Sequence, residues 1–211
     1  GLYFSEFSRY RHVVKPYAIP HDWRRCLTID YGLDMLAALW IAQSPDGHSV
    51  VYRELYRPGL IISDAAAQIL ACETAGEHID CRLAPPDLWN RRQETGRSAV
   101  ELFADSGLDF VKSSNERVAG WLALHELLMP RKDTDGAVRP RLTIFDTCRN
   151  LIRTLPALQH DKRNPSDTAN TPHELTHAPD ALRGYAATGY EPVKAVPQSA
   201  YDCEVGDFLR F

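Results

Sequence analysis

The chain has 211 residues, of which 44% are hydrophobic and 25% charged, and its formal net charge is -4 at pH 7. This composition is typical of a folded globular protein, and the length fits one sizeable domain. It excludes a chain that is basic throughout, and no apolar run approaches the roughly 18 residues that a membrane span needs. We therefore expect no membrane partner, and any nucleic-acid binding would depend on a local basic face.

The cysteines lead us to expect an intracellular protein, and the N-terminus shows no signal-peptide pattern. Residues 1–24 have neither the basic start nor the apolar core of a signal peptide, and their aromatic residues and prolines predict an extended lead-in packed on the core. The odd number of cysteines and the lack of a C-x-x-C pair argue against a disulfide framework. We expect reduced thiols at Cys26, Cys72, Cys81, Cys148 and Cys203.

Three strands with short connections open the predicted core. They are "RCLTIDYG" from Arg25, "AALWIAQ" from Ala37 and "VVYRELY" from Val50, all rich in β-branched and apolar residues. The Asp46–Gly47 pair predicts a tight turn between the second and third strands. The pattern therefore predicts an antiparallel three-strand meander.

Helices and short strands alternate after the meander. The predicted elements are a helix at 62–79, a strand within 80–89, a helix at 99–107, a strand at 109–114, a helix at 115–129, a strand ending at 146, a helix at 147–158 and a helix at 180–188. The helix at 115–129 is expected to place these apolar residues largely on one side: Val118, Trp121, Leu122, Leu124 and Leu128. This order predicts an α/β protein with a ribonuclease H-like fold, in which helices flank a mixed sheet of the meander and parallel strands.

Three aspartates stand at the ends of predicted elements. Asp30 ends the first strand, Asp87 follows the fourth strand and two prolines, and Asp180 opens the last helix. In a ribonuclease H-like layout these positions meet at one edge of the sheet. Clustered carboxylates repel one another, and divalent cations with oxygen ligands relieve that repulsion. Two such ions about 4 Å apart can promote phosphodiester hydrolysis, so the pattern predicts a metal-dependent site.

Other polar residues are candidates for the surroundings of this site. His177 could orient water, contact DNA or bond its own loop, and Asp167 could approach the site or form a turn. Glu54 could be an extra ligand or an exposed strand residue, and Asp34 is expected to be a turn or helix-start residue. Trp89 is expected to be a packing anchor. The residues best placed for phosphate contacts follow Asp87 in one loop: Arg91, Arg92 and Arg97.

A second motif competes for the same region. His173, Glu174 and His177 spell H-E-x-x-H, the zinc-peptidase pattern in which two histidines hold Zn²⁺ and a glutamate activates water. That site needs one continuous helix, and Pro172 and Pro179 both interrupt one here. We therefore expect the motif to be a coincidence, with Pro179 near the beginning of the last helix.

Nearly the whole chain resembles a known family. The resemblance lies in "YFSEF", "IPHDWRRCLTIDYG", "GHSVVYRELYRPG", "LAPPDLWNRR", "RLTIFDTCRNLIRTLPAL" and "ELTHAPDALRGY". These segments resemble the C-terminal nuclease domain of the large terminase subunit of tailed bacteriophages and prophages. The resemblance implies a ribonuclease H-like domain that cuts concatemeric viral DNA with Mg²⁺ or Mn²⁺, held by Asp30, Asp87 and Asp180. The "RGY" after Asp180 departs from the family's commoner Arg-Tyr adjacency, which leaves the roles of Arg183 and Tyr185 open.

The resemblance also implies a domain organisation and partners. We expect a nuclease core at 25–190 and a C-terminal tail at 191–211. The family's ATPase domain precedes the nuclease, and the chain has no G-x-x-x-x-G-K-[ST] phosphate loop, so we expect no ATP site in it. The implied partners are double-stranded DNA, the ATPase domain, the small terminase subunit and the portal, in the cytoplasm of an infected or lysogenic bacterium. Two alternatives stay open: a resolvase- or transposase-type nuclease, and a catalytically weak module that docks on the portal.

Overall fold

A computed structural model describes residues 1–189 and contains nine strands. They are β1 (Val13–Val14), β2 (Arg24–Tyr31), β3 (Leu36–Gln43), β4 (Ser49–Arg57), β5 (Cys81–Ala84), β6 (Val111–Lys112), β7 (Arg131–Lys132), β8 (Val138–Arg139) and β9 (Leu142–Phe145). Seven of them form one sheet in the order β1-β9-β4-β3-β2-β5-β6, and β7 pairs with β8 in a separate hairpin.

The sheet is mixed, as the sequence predicts. The strands β2, β3 and β4 form the antiparallel meander, with Asp30 opposite Ala37 and Leu39 opposite Glu54. The remaining pairs of this sheet are parallel: β2 with β5, β5 with β6, β4 with β9 and β9 with β1. Every residue of β3 is buried, because both faces of the sheet at this central strand are covered.

Helices cover the two faces of the sheet. The α-helices are α1 (Arg9–His12), α2 (Ile62–Cys72), α3 (Ala99–Asp105), α4 (Arg117–Leu128), α5 (Arg149–Thr154) and α6 (His177–Thr188). Short 3-10 helices span Pro86–Trp89, Leu155–Ala157 and His173–Leu175. One apolar cluster joins the sheet to α4, α5 and α6, and a second joins it to α2 and α3. The prediction of an α/β protein with helices on both sides is confirmed.

Several element boundaries differ from those predicted. The helix predicted at 62–79 ends at Cys72, because Gly76 has a φ of +84° and the Glu77 side chain accepts a hydrogen bond from the Thr74 N–H in a turn. The last helix begins at His177, three residues before the predicted start. The lead-in is not wholly extended, since it contains the one-turn helix α1 and the strand β1.

The apolar side of α4 is narrower than predicted. Trp121, Leu124 and Leu128 are fully buried, whereas Leu122 is 57% exposed. Leu122 follows Trp121 directly, and one residue turns a helix by about 100°, so it points away from the buried side. The prediction for Leu122 is therefore wrong.

Close packing brings α6 onto β2. The Thr28 hydroxyl donates a hydrogen bond of 2.7 Å to the Ala181 carbonyl oxygen. A Cβ atom at Gly120, on α4, would come within 2.8 Å of Arg183 Cγ and 2.9 Å of Ala187 Cβ on α6. Gly120 therefore allows α6 to lie close to α4, and the bond from Thr28 sets α6, with Asp180, beside the end of β2.

Two further expectations concern membrane spans and the cysteines. No helix within residues 1–189 is long and apolar enough to cross a membrane. No disulfide joins the cysteines in the same part of the chain: Cys26, Cys72, Cys81 and Cys148. Cys203 and the predicted tail at 191–211 lie outside the described residues.

Candidate metal centre

The three predicted aspartates line a single cavity of about 150 Å³. Asp30 is the seventh of the eight residues of β2, and Asp87 lies in the 3-10 helix that follows the neighbouring parallel strand β5. Asp180 is the fourth residue of α6. The carboxyl ends of parallel strands meet at one edge of a sheet, so β2 and β5 carry Asp30 and Asp87 to the same edge. The cavity is completed by side chains that include Ser113, Asn115, Arg117 and Arg183.

The carboxylate of Asp30 is strongly influenced by its surroundings. Burial raises its pKa above the ordinary value, a hydrogen bond from His177 opposes that effect, and the nearby charges of Asp180 and Asp87 raise the pKa further. The ionised form is thus penalised both by desolvation and by like charge. A cation in the cavity would relieve both penalties.

His177 contacts Asp30 directly. Its Nδ1 lies 2.9 Å from Asp30 Oδ2, and its side chain is only 7% exposed. The hydrogen bond to Asp30 raises the pKa of His177, although burial partly opposes this. This bond to Asp30 was not among the roles expected for His177, which were to orient water, contact DNA or bond its own loop.

Two arginines hold Asp180. Arg117 Nη1 and Arg183 Nε each donate to Asp180 Oδ1 at 3.0 Å. Both guanidinium groups also lie over the ring of Trp121, at 5.4 and 5.3 Å from its centroid. No local pattern indicated a role for Arg117, because it lies 63 residues from Asp180 along the chain. The role of Arg183, left open by the sequence, includes this ion pair.

Asp167 reaches the site only through Arg117. Its carboxylate accepts hydrogen bonds from Arg117 Nε at 2.8 and 3.0 Å and from Trp121 Nε1 at 2.9 Å. The remaining nitrogen of Arg117, Nη2, donates to Thr168 and Asn170. Asp167 therefore fixes the arginine that contacts Asp180 and does not itself line the cavity.

Glu54 lies away from the aspartate cavity. Its carboxylate accepts hydrogen bonds from the backbone N–H groups of Asn150 and Leu151, at 3.0 and 2.7 Å, in the first turn of α5. It also accepts one from the Asn150 side chain. Glu54 lies in the ladder of β4, as expected, but it is half-buried and caps α5, and it does not line the aspartate cavity. Tyr185 is also remote, since it is buried with its hydroxyl 2.9 Å from Ser49 Oγ.

The basic loop adjoins the aspartate cavity. Arg91, Arg92 and Asp87 line a neighbouring cavity of about 780 Å³. Arg91 lies 3.4 Å from Glu101, and Arg97 pairs with Asp105 at 2.7 Å. No ion pair of Arg92 occurs within residues 1–189. Arg92 therefore offers the least compensated positive charge of the three.

The H-E-x-x-H residues do not share one helix. His173 and Glu174 belong to the 3-10 helix, whereas His177 begins α6. The prediction that no continuous helix carries the motif is confirmed. The two imidazoles nevertheless meet, with ring centroids 4.6 Å apart, and each has a nitrogen 3.3 Å from Asp34 Oδ2. The sequence did not predict this contact, since Asp34 was expected only to be a turn or helix-start residue.

Comparison with known proteins gives structural matches alone. No protein-family model and no curated protein matches the chain. The nuclease domain of the P22 large terminase matches with a TM-score of 0.68 and 16% identity, covering 89% of this chain and 91% of that one. The large terminase nuclease of the thermophilic phage G20c with bound magnesium matches with a TM-score of 0.55 and 14% identity, covering 90% and 97%.

A longer protein shares the same fold over part of its length. The large terminase of the thermophilic bacteriophage D6E, in complex with ADP, matches with a TM-score of 0.69 and 14% identity. The match covers 88% of this chain but 44% of the D6E protein, so the chain spans less than half of that terminase. These matches point to the same fold as the order of the strands and the helices on both faces of the sheet. The chain has the ribonuclease H-like fold of the nuclease domain of bacteriophage large terminases.

Proposed function

We propose that this chain is the metal-dependent endonuclease domain of a viral DNA-packaging terminase, which cuts concatemeric double-stranded DNA by two-metal-ion phosphodiester hydrolysis. The observation that carries the proposal is the meeting of Asp30, Asp87 and Asp180 in one cavity, although they come from three separate elements. The shared fold supports the same activity, because the P22 and G20c matches are described as terminase nucleases.

The donor set fits hard divalent cations. Three carboxylates provide the oxygen ligands that Mg²⁺ and Mn²⁺ prefer, and Asp30 is half-buried beside two other acids. Two bound ions would polarise the scissile phosphate and lower the pKa of an attacking water. Since Asp30, Asp87 and Asp180 line the cavity, we propose that they hold these ions.

The surrounding residues have separate tasks in this proposal. Arg117 and Arg183 hold the Asp180 carboxylate in a fixed orientation, and Asp167 fixes Arg117. His177 holds Asp30 through a hydrogen bond. Arg91 and Arg92 would contact phosphates of the duplex beside the cavity, with Arg97 as a weaker candidate because it is paired with Asp105.

The assembly is part of the same proposal. We infer that an ATPase domain is linked to this nuclease, because the D6E large terminase that shares its fold was solved with ADP and is more than twice as long as the matched region. The small terminase subunit and the portal would be the other partners. The site of action would be the cytoplasm of the infected or lysogenic bacterium.

Plasmid nicking tests the proposal. The purified chain should convert supercoiled plasmid to nicked and linear forms with Mn²⁺ or Mg²⁺ and not with EDTA. Asp30→Asn and Asp180→Asn should each abolish this conversion, whereas the matched control Asp22→Asn, an exposed aspartate in the lead-in, should not. Retained cutting by both site variants would overturn the assignment of the site. Cutting restricted to branched DNA would favour a resolvase, and portal binding without any cutting would favour a docking module.

A further inference from the structure

A second cluster of metal-binding side chains lies beside the aspartate cavity. Asp34 comes from the connection between β2 and β3, His173 from the 3-10 helix, and His177 from the start of α6. One potential ligand atom of each lies within 4.8 Å of the other two. Imidazole nitrogens and a carboxylate oxygen together suit Zn²⁺ and Co²⁺ better than Mg²⁺, which prefers oxygen ligands alone. The cluster thus differs in chemistry from the all-carboxylate cavity.

The separations between the ligand atoms fit a tetrahedral ion. Bonds of about 2.0 Å in a tetrahedral site place two ligand atoms about 3.3 Å apart. Asp34 Oδ2 lies 3.3 Å from His173 Nδ1 and 3.3 Å from His177 Nε2. These two distances between ligand atoms therefore equal those that a tetrahedral ion requires.

The tautomer of His177 also suits metal binding. An ionised Asp30 carboxylate can only accept a hydrogen bond, so the proton of a neutral His177 lies on Nδ1, the atom that contacts Asp30. Nε2 then carries the lone pair, and it is the atom that faces Asp34. A histidine held by a carboxylate through one nitrogen while the other binds metal is the usual arrangement in zinc sites.

The backbone at Gly32 leaves room for the Asp34 side chain. Asp34 Oδ1 occupies the space that a Cβ atom at Gly32 would take, and this exposed side chain can also turn away from that position. On the outer side the cluster is open to solvent, because His173 is 66% and Asp34 57% exposed. Three protein ligands with one open position match the ligand count of sites that bind a further small molecule.

The other His/Asp cluster of the described chain has a different composition. It contains one imidazole, that of His48, which contacts Asp46 through Nδ1 at 3.1 Å and Asp133 through Nε2 at 3.0 Å. Asp133 is also paired with Arg139 at 2.7 Å. That cluster is an ion-pair bridge.

From these contacts we propose that Asp34, His173 and His177 form a separate site for one Zn²⁺-class ion, with Asp30 as the carboxylate that orients His177. The site links the β2–β3 connection to the start of α6. It goes beyond the proposed nuclease function and does not depend on it, because none of its three ligands belongs to the carboxylate set. Glu174, the third residue of the peptidase motif, takes no part in the cluster.

Cobalt spectroscopy tests the site on the full chain. Co²⁺ with nitrogen ligands in a four-coordinate site absorbs visible light far more strongly than octahedral Co²⁺ with oxygen ligands. Wild-type protein should show this strong band, saturating at one equivalent, persisting in excess Mg²⁺ and disappearing when Zn²⁺ is added. Zn²⁺ should also raise the melting temperature, because it binds only the folded chain.

Substitutions test which side chains bind the ion. His173→Ala should lose the band and the thermal shift. The matched control His78→Ala, an exposed histidine 3.5 Å from Asp80, should behave as wild type. Circular dichroism of each variant confirms folding.

Asp87→Asn separates this proposal from the nuclease proposal. The variant should keep the cobalt band and lose plasmid nicking. A band that survives His173→Ala and disappears in Asp87→Asn would place the ion in the carboxylate cavity and overturn the histidine site. Absence of any strong band in the wild-type protein would overturn it as well, whatever the nicking assay shows.

Discussion

Arg117 donates a hydrogen bond of 3.0 Å to Asp180, so a protein cation already contacts one of the three carboxylates of the proposed metal site. The same guanidinium group is bound by Asp167 at 2.8 Å. Arg117 begins α4, Asp180 lies in the first turn of α6, and Asp167 lies in the connection before α6. One side chain therefore joins two helices and a loop at the wall of the cavity.

Removal of Arg117 should destabilise the fold. In Arg117→Ala, the half-buried Asp167 would keep the Trp121 N–H but lose its charged partner. Loss of one partner from such a network costs about 1–3 kcal/mol. Urea unfolding of the metal-free protein should show this decrease in the free energy of unfolding.

Lys162→Ala is the matched control for that measurement. Lys162 is an exposed cation in the same connection as Asp167, so its loss removes equal charge without breaking the network. It should change the free energy of unfolding by less than about 0.5 kcal/mol. Equal effects of the two substitutions would show that the Arg117 network contributes no more than an ordinary surface charge.

The bond between His177 and Asp30 should make stability depend on pH. The bond raises the pKa of His177 above the ordinary 6.5, so its stabilising contribution is complete below about pH 6.5 and is lost as the pH rises through the raised value. Burial raises the pKa of Asp30 above its ordinary 3.8, so the effect of Asp30 on stability begins at lower pH than that of His177. The melting temperature of the metal-free protein should therefore fall between pH 6 and pH 9.

Asp30→Asn isolates this effect. Asparagine can accept the hydrogen bond from Nδ1 but carries no charge, so the pKa of His177 should drop towards its ordinary value. The decline of melting temperature above pH 6.5 should then be smaller than in wild type, with both proteins kept in EDTA. An unchanged decline would assign the pH dependence to groups other than this pair. NMR titration of the His177 ring gives the pKa directly.

The sequence predicted the fold well because the relevant patterns are local. The three strands of the meander are apolar runs bounded by turn residues, and each lies within a residue or two of its predicted limits. The placement of Asp30 and Asp180 at element ends follows from the same patterns. The end of α2 at Cys72 was missed because the turn that stops it depends on Glu77, which also binds the distant Arg53.

The sequence did not predict contacts between residues that lie far apart along the chain. Arg117 and Asp180 are separated by 63 residues, and Glu54 and Leu151 by 97. No periodicity or spacing relates such pairs, since their approach depends on how α4, α5 and α6 pack on the sheet. The meeting of His173 with Asp34 was missed for the same reason.

Glu54 should affect stability and leave cleavage intact. Its carboxylate caps α5 through the N–H groups of Asn150 and Leu151, so Glu54→Gln removes a charge from the positive end of that helix and weakens the cap. We expect a loss of about 1 kcal/mol in the free energy of unfolding. Metal-dependent plasmid nicking, measured well below the melting temperature, should match wild type. A loss of nicking as complete as that of Asp30→Asn would instead make Glu54 part of the metal site.

Arg92 should contribute more to DNA binding than Arg97. Both follow Asp87 in one loop, but Arg97 pairs with Asp105 at 2.7 Å, whereas Arg92 lines the neighbouring cavity and has no ion pair among the described residues. An arginine already bound to a carboxylate must give up that contact before it can bind a phosphate. Arg92→Ala should therefore weaken duplex binding more than Arg97→Ala does.

Fluorescence anisotropy with a labelled duplex over a range of salt concentrations measures this difference. Loss of one phosphate contact should reduce the slope of log K against log salt concentration by about 1 in Arg92→Ala. Arg97→Ala should leave that slope near the wild-type value, and it serves as the matched control because it removes the same charge from the same loop. Ca²⁺ can replace Mg²⁺ in these titrations to prevent cutting. If the two substitutions change the slope equally, the pairing of Arg97 with Asp105 does not limit phosphate binding, and both arginines belong to the DNA-contacting surface.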